Sequence, residues 1–189
     1  MRRLARSERS VTPWRNGGGH TSEIAVAAGS SANAGFDWRL SVARIDGDGD
    51  FSAYPGVDRL LMPLSAGGLD LLVDGVRQSI PRFEAIPFAG EARVSAVDVT
   101  APSLDLNVMV RREFGTASLG CEAVERTHLV SNRAGEVTAI IALDGALRVN
   151  GESLESEDAV LSGEAETIEV EGTGRIAIAC VRPVSPDSD

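Results

Sequence analysis

The amino-acid sequence predicts an all-β protein made of two related β-barrel, or jelly-roll, halves. Apolar and polar residues alternate at period two along most of the chain, as in FDWRLSVARI and GRIAIACVR. Gly, Pro or Asp-Gly signals separate these runs. Short strands joined by tight turns are typical of β-barrels and sandwiches, and a repeat within the sequence indicates two of them.

The repeat aligns residues 67–98 with residues 144–172. GGLDLLVDG followed by AIPFAGEARVSAVD matches DGALRVNG followed by AVLSGEAETIEVEG, with Gly-Glu-Ala triplets beginning at Gly90 and Gly163. Each copy predicts a strand, an Asp-Gly or Asn-Gly hairpin turn, a short strand and another strand after the triplet. Two copies indicate an internal duplication rather than a solenoid.

The predicted halves are residues 1–112 and residues 113–189. The first half contains both tryptophans and nearly all of the unusual polar residues, whereas the second is simpler and acidic, as in GESLESEDAV. CEAVERTHLVSNR, residues 121–133, is compatible with a few helical turns or with a loop and strand. We therefore expect the function to lie in the first half.

Composition narrows the class of partner. The chain has 189 residues, 43% of them hydrophobic, and a formal net charge of -10 with a pI near 4.7. The negative electrostatic potential of such a protein repels phosphate backbones and anionic lipid, so we expect neither nucleic acid nor a membrane as partner. All 18 basic residues are arginine, which excludes lysine chemistry and favours bidentate recognition of carboxylates. A GC-rich genome is an alternative reason for the missing lysine.

Cysteine usage and the N-terminus predict a cytoplasmic protein. Cys121 and Cys180 are too few for a disulfide framework and have no paired metal-ligand spacing. MRRLARSERSV lacks an apolar segment and a cleavage site, and the sequence has no run of about 18 apolar residues.

The block PWRNGGGHTSE, residues 13–23, allows three interpretations. A metal site would need several ligands, but His20 and His128 lie in different halves, so no metal or other cofactor is expected. A phosphate loop would need a P-loop lysine or GxGxxG spacing, and TSEIAVA predicts a strand rather than a helix. The remaining choice is between a plain turn and a pocket wall that holds Arg15, Asn16, Thr21 and Glu23 together.

Polar residues also alternate on two predicted strands. Arg39 and Ser41 share one face of FDWRLSVA, and Asp105 and Asn107 share one face of SLDLNVMVRR. FSAYPGVDR adds a Pro-Gly turn beside Ser52, Tyr54 and Arg59. These faces could be solvated, as is common on antiparallel strands, or could line a polar pocket. No G-x-S-x-G or recognisable triad occurs, so no catalytic residue is predicted.

Four ordered blocks resemble the HutD family, also called HutD/Ves. They are PWRNGGGHTSEIA, FDWRLSVARI, FSAYPGVDRLL and DLNVMVRR, and they cover Pro13 to about Arg112. The resemblance implies a cupin fold with two barrel-like halves, an association with bacterial histidine utilisation, and binding of a small molecule such as urocanate or formylglutamate. It implies no established enzymatic activity.

Carried over position by position, the resemblance implies a ligand-binding set. Its members here are Trp14, Arg15, Asn16, Gly18, Gly19, Thr21, Glu23, Trp38, Arg39, Ser41, Ser52, Arg59, Asp105 and Asn107. Position 15 is often Lys in the family, and His20 falls where the family pattern is open.

Two functional hypotheses follow. The first is a small-molecule-binding regulatory protein, with a homodimer as one option, in which arginine pairs an anionic ligand and Asn16 and Asn107 contact its polar groups. The second is a metal-independent cupin-type enzyme, such as an isomerase or epimerase, with Glu23 and His20 as proton-transfer groups. The lack of a clear base favours the first.

Overall fold

Strands with alternating apolar and polar residues account for almost all of the regular structure in the described residues. The computed structural model describes residues 1–14, 17–29 and 35–184. In chain order the strands are β1 (Arg2–Leu4), β2 (Val11–Pro13), β3 (Gly19–Ala27), β4 (Trp38–Ile45), β5 (Gly49–Asp50), β6 (Val57–Pro63), β7 (Leu69–Val73), β8 (Val76–Ile80), β9 (Ile86–Ala89), β10 (Val94–Ala96), β11 (Ser103–Arg111), β12 (Gly115–Val124), β13 (Thr127–Asn132), β14 (Val137–Val149), β15 (Glu152–Leu154), β16 (Ala159–Ser162) and β17 (Glu166–Pro183). The one helical element among the described residues is a 3₁₀ turn at Arg6–Glu8. The predicted all-β class is confirmed.

The chain divides into two units. The motif unit is Ser10–Phe114, and the C-terminal unit combines Met1–Arg9 with Gly115–Asp189. The sequence analysis assigned the first residues to the N-terminal half, whereas the structure groups Met1–Arg9 with the C-terminal unit. They join the other unit because β1 pairs antiparallel with β16, with Arg2 opposite Leu161, and because Arg3 donates to the buried Asp158 at 2.8 Å.

The motif unit contains two antiparallel sheets. One has the strand order β2-β3-β4-β11-β6-β9, and the other has the order β5-β10-β7-β8. Both sheets contribute to its apolar core, whose buried members are Ile45, Leu61, Leu69, Leu71, Ile80, Phe88, Val94 and Ala96. β4 and β11 are adjacent in the larger sheet, with Ser41 opposite Asn107 and Ala43 opposite Asp105. This register places their polar residues side by side.

The C-terminal unit is built on a single seven-stranded antiparallel sheet. Its main path is β1-β16-β14-β17-β12, with β13 also paired to β17 and β15 also paired to β14. Its core residues include Ile140, Ile168, Val170 and Ile176, all essentially inaccessible to solvent. The segment 121–133, which the sequence left open, is strand, turn and strand.

The repeated segments fold into matching pieces of the two units. Residues 67–98 contain β7 to β10, and residues 144–172 contain the end of β14, then β15, β16 and the start of β17. Each begins with a hairpin whose two turn residues have positive φ, Asp74 and Gly75 in one and Asn150 and Gly151 in the other. The alignment therefore predicted both hairpins, while the duplication itself stays a prediction.

Within the described ranges no helix is long and apolar enough to span a bilayer.

Candidate functional site

A cavity of about 430 Å³ lies in the motif unit. Several of the predicted ligand-binding residues line this cavity, together with aromatic residues. The described lining residues are Thr12, Pro13, Trp14, Thr21, Arg39, Ser41, Ala43, Asp50, Phe51, Ser52, Tyr54, Arg59, Asp105, Asn107 and Met109.

Two central strands of the larger sheet supply one wall of the cavity. Alternation turns Arg39 and Ser41 of β4, and Asp105 and Asn107 of β11, toward the same space. The pairing of Ser41 with Asn107 brings the two polar faces together. The polar strand faces that the sequence indicated are thus the wall of a cavity and not a solvated surface.

Arg59 is the buried cation of this cavity, with 7% of its surface exposed. Its guanidinium carbon lies 4.9 Å from the ring centre of Phe88, 5.3 Å from that of Phe51 and 5.9 Å from that of Tyr54. Its Nη2 donates to Oδ1 of Asn107 at 3.0 Å. Burial lowers the pKa of Arg59, but an arginine side chain remains charged in any protein environment.

The charge of Arg59 has no direct counter-ion in the part of the chain that the structure describes. No carboxylate there lies within the 4.0 Å of an ion pair, and the Nε atom of Arg59 has no hydrogen-bond partner. Nη1 makes only a long contact, 3.5 Å, with the carbonyl oxygen of Ser52. Cation–π contacts with three rings stabilise the guanidinium without neutralising it.

Asp105 is completely buried beside this arginine. Its Oδ2 accepts a hydrogen bond from Nδ2 of Asn107, which links Asp105 to Arg59 through the amide. Oδ1 has no partner among the described residues. Burial raises the pKa of Asp105 to about 7, although the Arg59 charge and the Asn107 hydrogen bond both act to lower it.

Arg39 is the second cation on the cavity wall. Its Nε donates to Oε2 of Glu23 at 3.0 Å, and its side chain is 22% exposed. Glu23 lies across from Ser41 in the β3–β4 pairing and is not part of the described lining. Glu23 is therefore the ion-pair partner of Arg39 and not one of the described lining residues.

Trp14 and Thr21 close one side of the cavity. The indole Nε1 donates to Oγ1 of Thr21 at 2.8 Å, and the Trp14 ring meets Phe51 edge-on with 6.4 Å between ring centres. These contacts connect the β2–β3 hairpin to the aromatic residues around Arg59.

Gly18 and Gly19 lie outside the described lining, in contrast to the pocket wall that the sequence allowed. Gly19 instead permits close packing: a Cβ there would lie 1.9 Å from the carbonyl oxygen of Arg44 and 3.2 Å from the Trp14 ring. The carbonyl of Gly18 accepts from the amide of Asp46 at 2.9 Å. Gly19 therefore allows close packing of this hairpin against the Arg44 backbone and the Trp14 ring.

Three further predicted residues do not join the described lining. Arg15 and Asn16 lie outside the described residues. Trp38 alternates with Arg39, so its side chain points to the opposite face of β4, where it is 7% exposed. Trp38 therefore lies outside the described lining, and its contact with a ligand stays a prediction.

Sequence reasoning missed Phe51 and gave no binding role to Tyr54 or Met109. Phe51 and Tyr54 lie within the quoted FSAYPGVDR block, so their closeness to the Pro-Gly turn was a usable signal. Met109 follows from the alternation of β11. Asp50, whose carboxylate accepts from Ser95 Oγ at 2.6 Å, had no signal in the sequence.

The proton-transfer pair of the enzyme hypothesis is not assembled. His20 and Glu23 are three residues apart on β3, opposite Arg44 and Ser41 respectively, so their side chains leave the strand on opposite faces. Within residues 1–14, 17–29 and 35–184, no three His, Cys, Asp or Glu residues come together as a metal site.

Fold and site together define an all-β protein with a polar cavity around a buried arginine. The HutD family profile matches residues 6–179, and the chain belongs to that family. An uncharacterised 21.2 kDa protein from the hutC 3′ region of Pseudomonas putida is 33% identical over 156 residues, covering 74% of this chain and 81% of the relative. The protein Ves of Citrobacter koseri is 35% identical over 136 residues, covering 70% and 68%.

A solved structure supports the same assignment. HutD from Pseudomonas fluorescens SBW25 superposes with a TM-score of 0.85 at 28% identity, covering 97% of this chain and 99% of that one. The resemblance inferred from the four sequence blocks is thereby confirmed.

Proposed function

We propose that this HutD-family protein binds a small carboxylate in the cavity of the motif unit, with Arg59 as the principal anchor. The observation that carries the proposal is a buried guanidinium without a direct counter-ion among the described residues, in a cavity large enough for a small molecule. Burying a charge without a partner is costly, and a bound carboxylate removes that cost.

The surroundings of Arg59 favour a ligand over a purely structural role. The protein has a net charge of -10, yet two arginines line this one cavity. Three aromatic rings hold Arg59 in place, which reduces the conformational entropy that ligand binding must overcome. Arg39, although paired with Glu23, adds a second positive charge on the same wall.

Hydroxyl and amide groups in the lining suit the remainder of such a ligand. Ser41, Thr21 and Tyr54 provide hydroxyl groups, and Asn107 provides an amide that is already fixed by Arg59. A cavity with a few placed polar groups among aromatic walls is typical of small-molecule sites. We expect an acid with one carboxylate at Arg59 and a polar or planar remainder against Trp14 and Phe51.

The names of the relatives direct the choice of acids. The Pseudomonas putida relative is named for its position beside hutC, which supports a role in modulating histidine utilisation and makes urocanate and formylglutamate the first candidates. HutD of Pseudomonas fluorescens was solved in a formate condition, so formate is a suitable minimal probe.

Calorimetric titration of formate, acetate, urocanate and formylglutamate at pH 6 tests the proposal. Arg59→Gln should weaken binding of the acids by about 2 to 5 kcal/mol, because it removes a buried charged partner. Arg82→Gln is the matched control, since Arg82 also stacks on a ring, that of Phe83 at 4.1 Å, but does not line the cavity. Equal affinity in wild type and Arg59→Gln, or no binding by folded wild type, would overturn the proposal.

A further inference from the structure

Two polar atoms of the cavity lack a hydrogen-bond partner among the described residues. They are Nε of Arg59 and Oδ1 of Asp105. Both residues line the cavity and both are more than nine-tenths buried. Arg59 Nε is a donor, whereas the Asp105 oxygen accepts when ionised and donates when protonated. Each atom therefore leaves a hydrogen-bonding position unfilled by the described residues.

Asn107 determines which Asp105 oxygen can hold a proton. Its Oδ1 accepts from Arg59 Nη2, and this orients the amide so that Nδ2 donates to Oδ2 of Asp105. Oδ2 is thus engaged as an acceptor. A proton on this carboxyl group therefore belongs on Oδ1, the oxygen without a partner.

We propose that Asp105 recognises the ligand carboxylate as a neutral acid, so that binding takes up one proton. Oδ1–H of Asp105 donates to one carboxylate oxygen, and Nε–H of Arg59 donates to the other. The ligand enters as an anion, the proton passes from solvent to Oδ1, and no bond of the ligand is made or broken. This inference rests on the proposed function and adds to it a requirement for protonation.

The charges around Asp105 favour this arrangement. Its cross-strand neighbours, Ala43 on β4 and Pro63 on β6, carry no charge. The other titratable or charged groups among the described lining residues are Arg39, Asp50, Tyr54 and Arg59. An ionised Asp105 would repel a carboxylate held by Arg59 in a site with little water, whereas a neutral one attracts it.

Protonation of Asp105 is accessible near neutrality. Burial raises its pKa to about 7, so little free energy is needed to add the proton at pH 7. The affinity for a monocarboxylate should then be nearly constant below pH 6 and should fall about tenfold for each pH unit above 7. The ligand class is an acid that remains ionised across this range.

The decisive variant is Asp105→Asn. Its amide is neutral and of the same shape, with an oxygen for Asn107 and an N–H in place of Oδ1–H. Urocanate and formate should bind this variant with an affinity that is flat from pH 6 to 8.5, and at pH 8.5 about thirtyfold more tightly than they bind wild type. Asp98→Asn, which removes a surface carboxylate paired with Arg77, should keep the wild-type pH profile.

Two measurements on wild type make the test independent of that variant. Carbon-13 NMR of the aspartate carboxyl groups should show Asp105 titrating near neutrality, and calorimetry in buffers of different ionisation enthalpy should show uptake of about one proton per urocanate at pH 8. An Asp105 already ionised at pH 5, or binding without proton uptake, would overturn the inference while leaving carboxylate binding intact. Absence of binding in both proteins at every pH would instead overturn the proposed function, and this inference with it.

Discussion

The motif unit and the C-terminal unit each bury an asparagine within a polar cluster, and the two clusters differ in completeness. In the C-terminal unit, Nδ2 of Asn132 contacts the carbonyl oxygens of Glu136, Ser162 and Glu164, and its Oδ1 accepts from Thr138. In the motif unit, Asn107 connects Arg59 to Asp105, and each of those two residues keeps an atom without a partner.

The difference separates a structural cluster from a binding cluster. A buried polar group that is fully hydrogen-bonded stabilises one conformation, whereas an unsatisfied one requires another explanation. The C-terminal unit does leave part of the Arg9 guanidinium unpartnered, but there Glu157 lies within 4.0 Å and compensates the charge. Arg59 has cation–π contacts, the Asn107 amide and a long contact with the Ser52 carbonyl oxygen, and no carboxylate of the described residues lies within 4.0 Å of it.

The largest expected effect is on the pH dependence of folding. The pKa of Asp105 rises from 3.8 to about 7 on folding, so the native state binds its proton more tightly than the unfolded state. Its contribution to stability is therefore complete below about pH 4, falls as pH rises toward 7, and is constant above that value. The loss has a slope of at most about 1.4 kcal/mol per pH unit and a total of about 4 kcal/mol.

Urea denaturation of unligated wild type and Asp105→Asn from pH 4 to 8 measures this effect. The difference between the two unfolding free energies isolates the contribution of Asp105. It removes the contributions of groups whose pKa shifts in the opposite direction on folding, such as Glu91, whose pKa Arg112 lowers to about 2. We expect wild type to lose stability relative to the variant as pH rises. If the two pH curves were parallel, the ionisation of Asp105 would not differ between the folded and unfolded states. The motif-unit cluster would then be as complete as the one around Asn132.

The next effect concerns the satisfied cluster. Asn132→Ala should lower the free energy of unfolding by about 3 kcal/mol, because buried carbonyl groups and the Thr138 hydroxyl lose their partner. Urea denaturation measures it, with Ser131→Ala, an exposed neighbour on β13, as control. A loss below about 1 kcal/mol would contradict the view that this cluster stabilises the fold.

The sequence predicted strands and faces better than it predicted the site. Period-two alternation identified the β class and correctly paired Arg39 with Ser41 and Asp105 with Asn107 on shared faces. Local turn chemistry placed the Asp74-Gly75 hairpin. These features depend on neighbours along the chain, which is why a single sequence was enough.

Other features depend on contacts between distant segments. The transfer of the first nine residues to the C-terminal unit follows from pairing with β16, more than 150 residues away. The burial of Asp105 and, among the described residues, the absence of a carboxylate within 4.0 Å of Arg59 result from the packing of several strands and an aromatic segment. No pattern within one strand encodes them.

A third effect tests how the glycine block supports the cavity. Gly19→Ala should lower the free energy of unfolding by about 2 kcal/mol, because its Cβ would overlap the carbonyl oxygen of Arg44 and crowd Trp14. Gly47→Ala, in the same unit with no atom within 4 Å of the added Cβ, should stay within about 0.5 kcal/mol of wild type. Thermal denaturation followed by tryptophan fluorescence reports stability and the combined environments of Trp14 and Trp38. Identical behaviour of the two variants would show that Gly19 does not position the Trp14 indole.

The smallest effect concerns the second arginine of the cavity. Arg39 is paired with Glu23, so part of its charge is already compensated, in contrast to Arg59. Glu23→Gln keeps an oxygen that can accept from Arg39 Nε but removes the competing negative charge. Urocanate should therefore bind about two- to threefold more tightly at low salt, and the gain should disappear near 0.5 M salt because the pair is partly exposed. Calorimetric titration compares the variant with Glu84→Gln, an exposed carboxylate of the same unit that does not line the cavity. Unchanged affinity in Glu23→Gln would mean that the ligand carboxylate has no measurable electrostatic interaction with Arg39. The charge of Arg59 alone would then attract the anion.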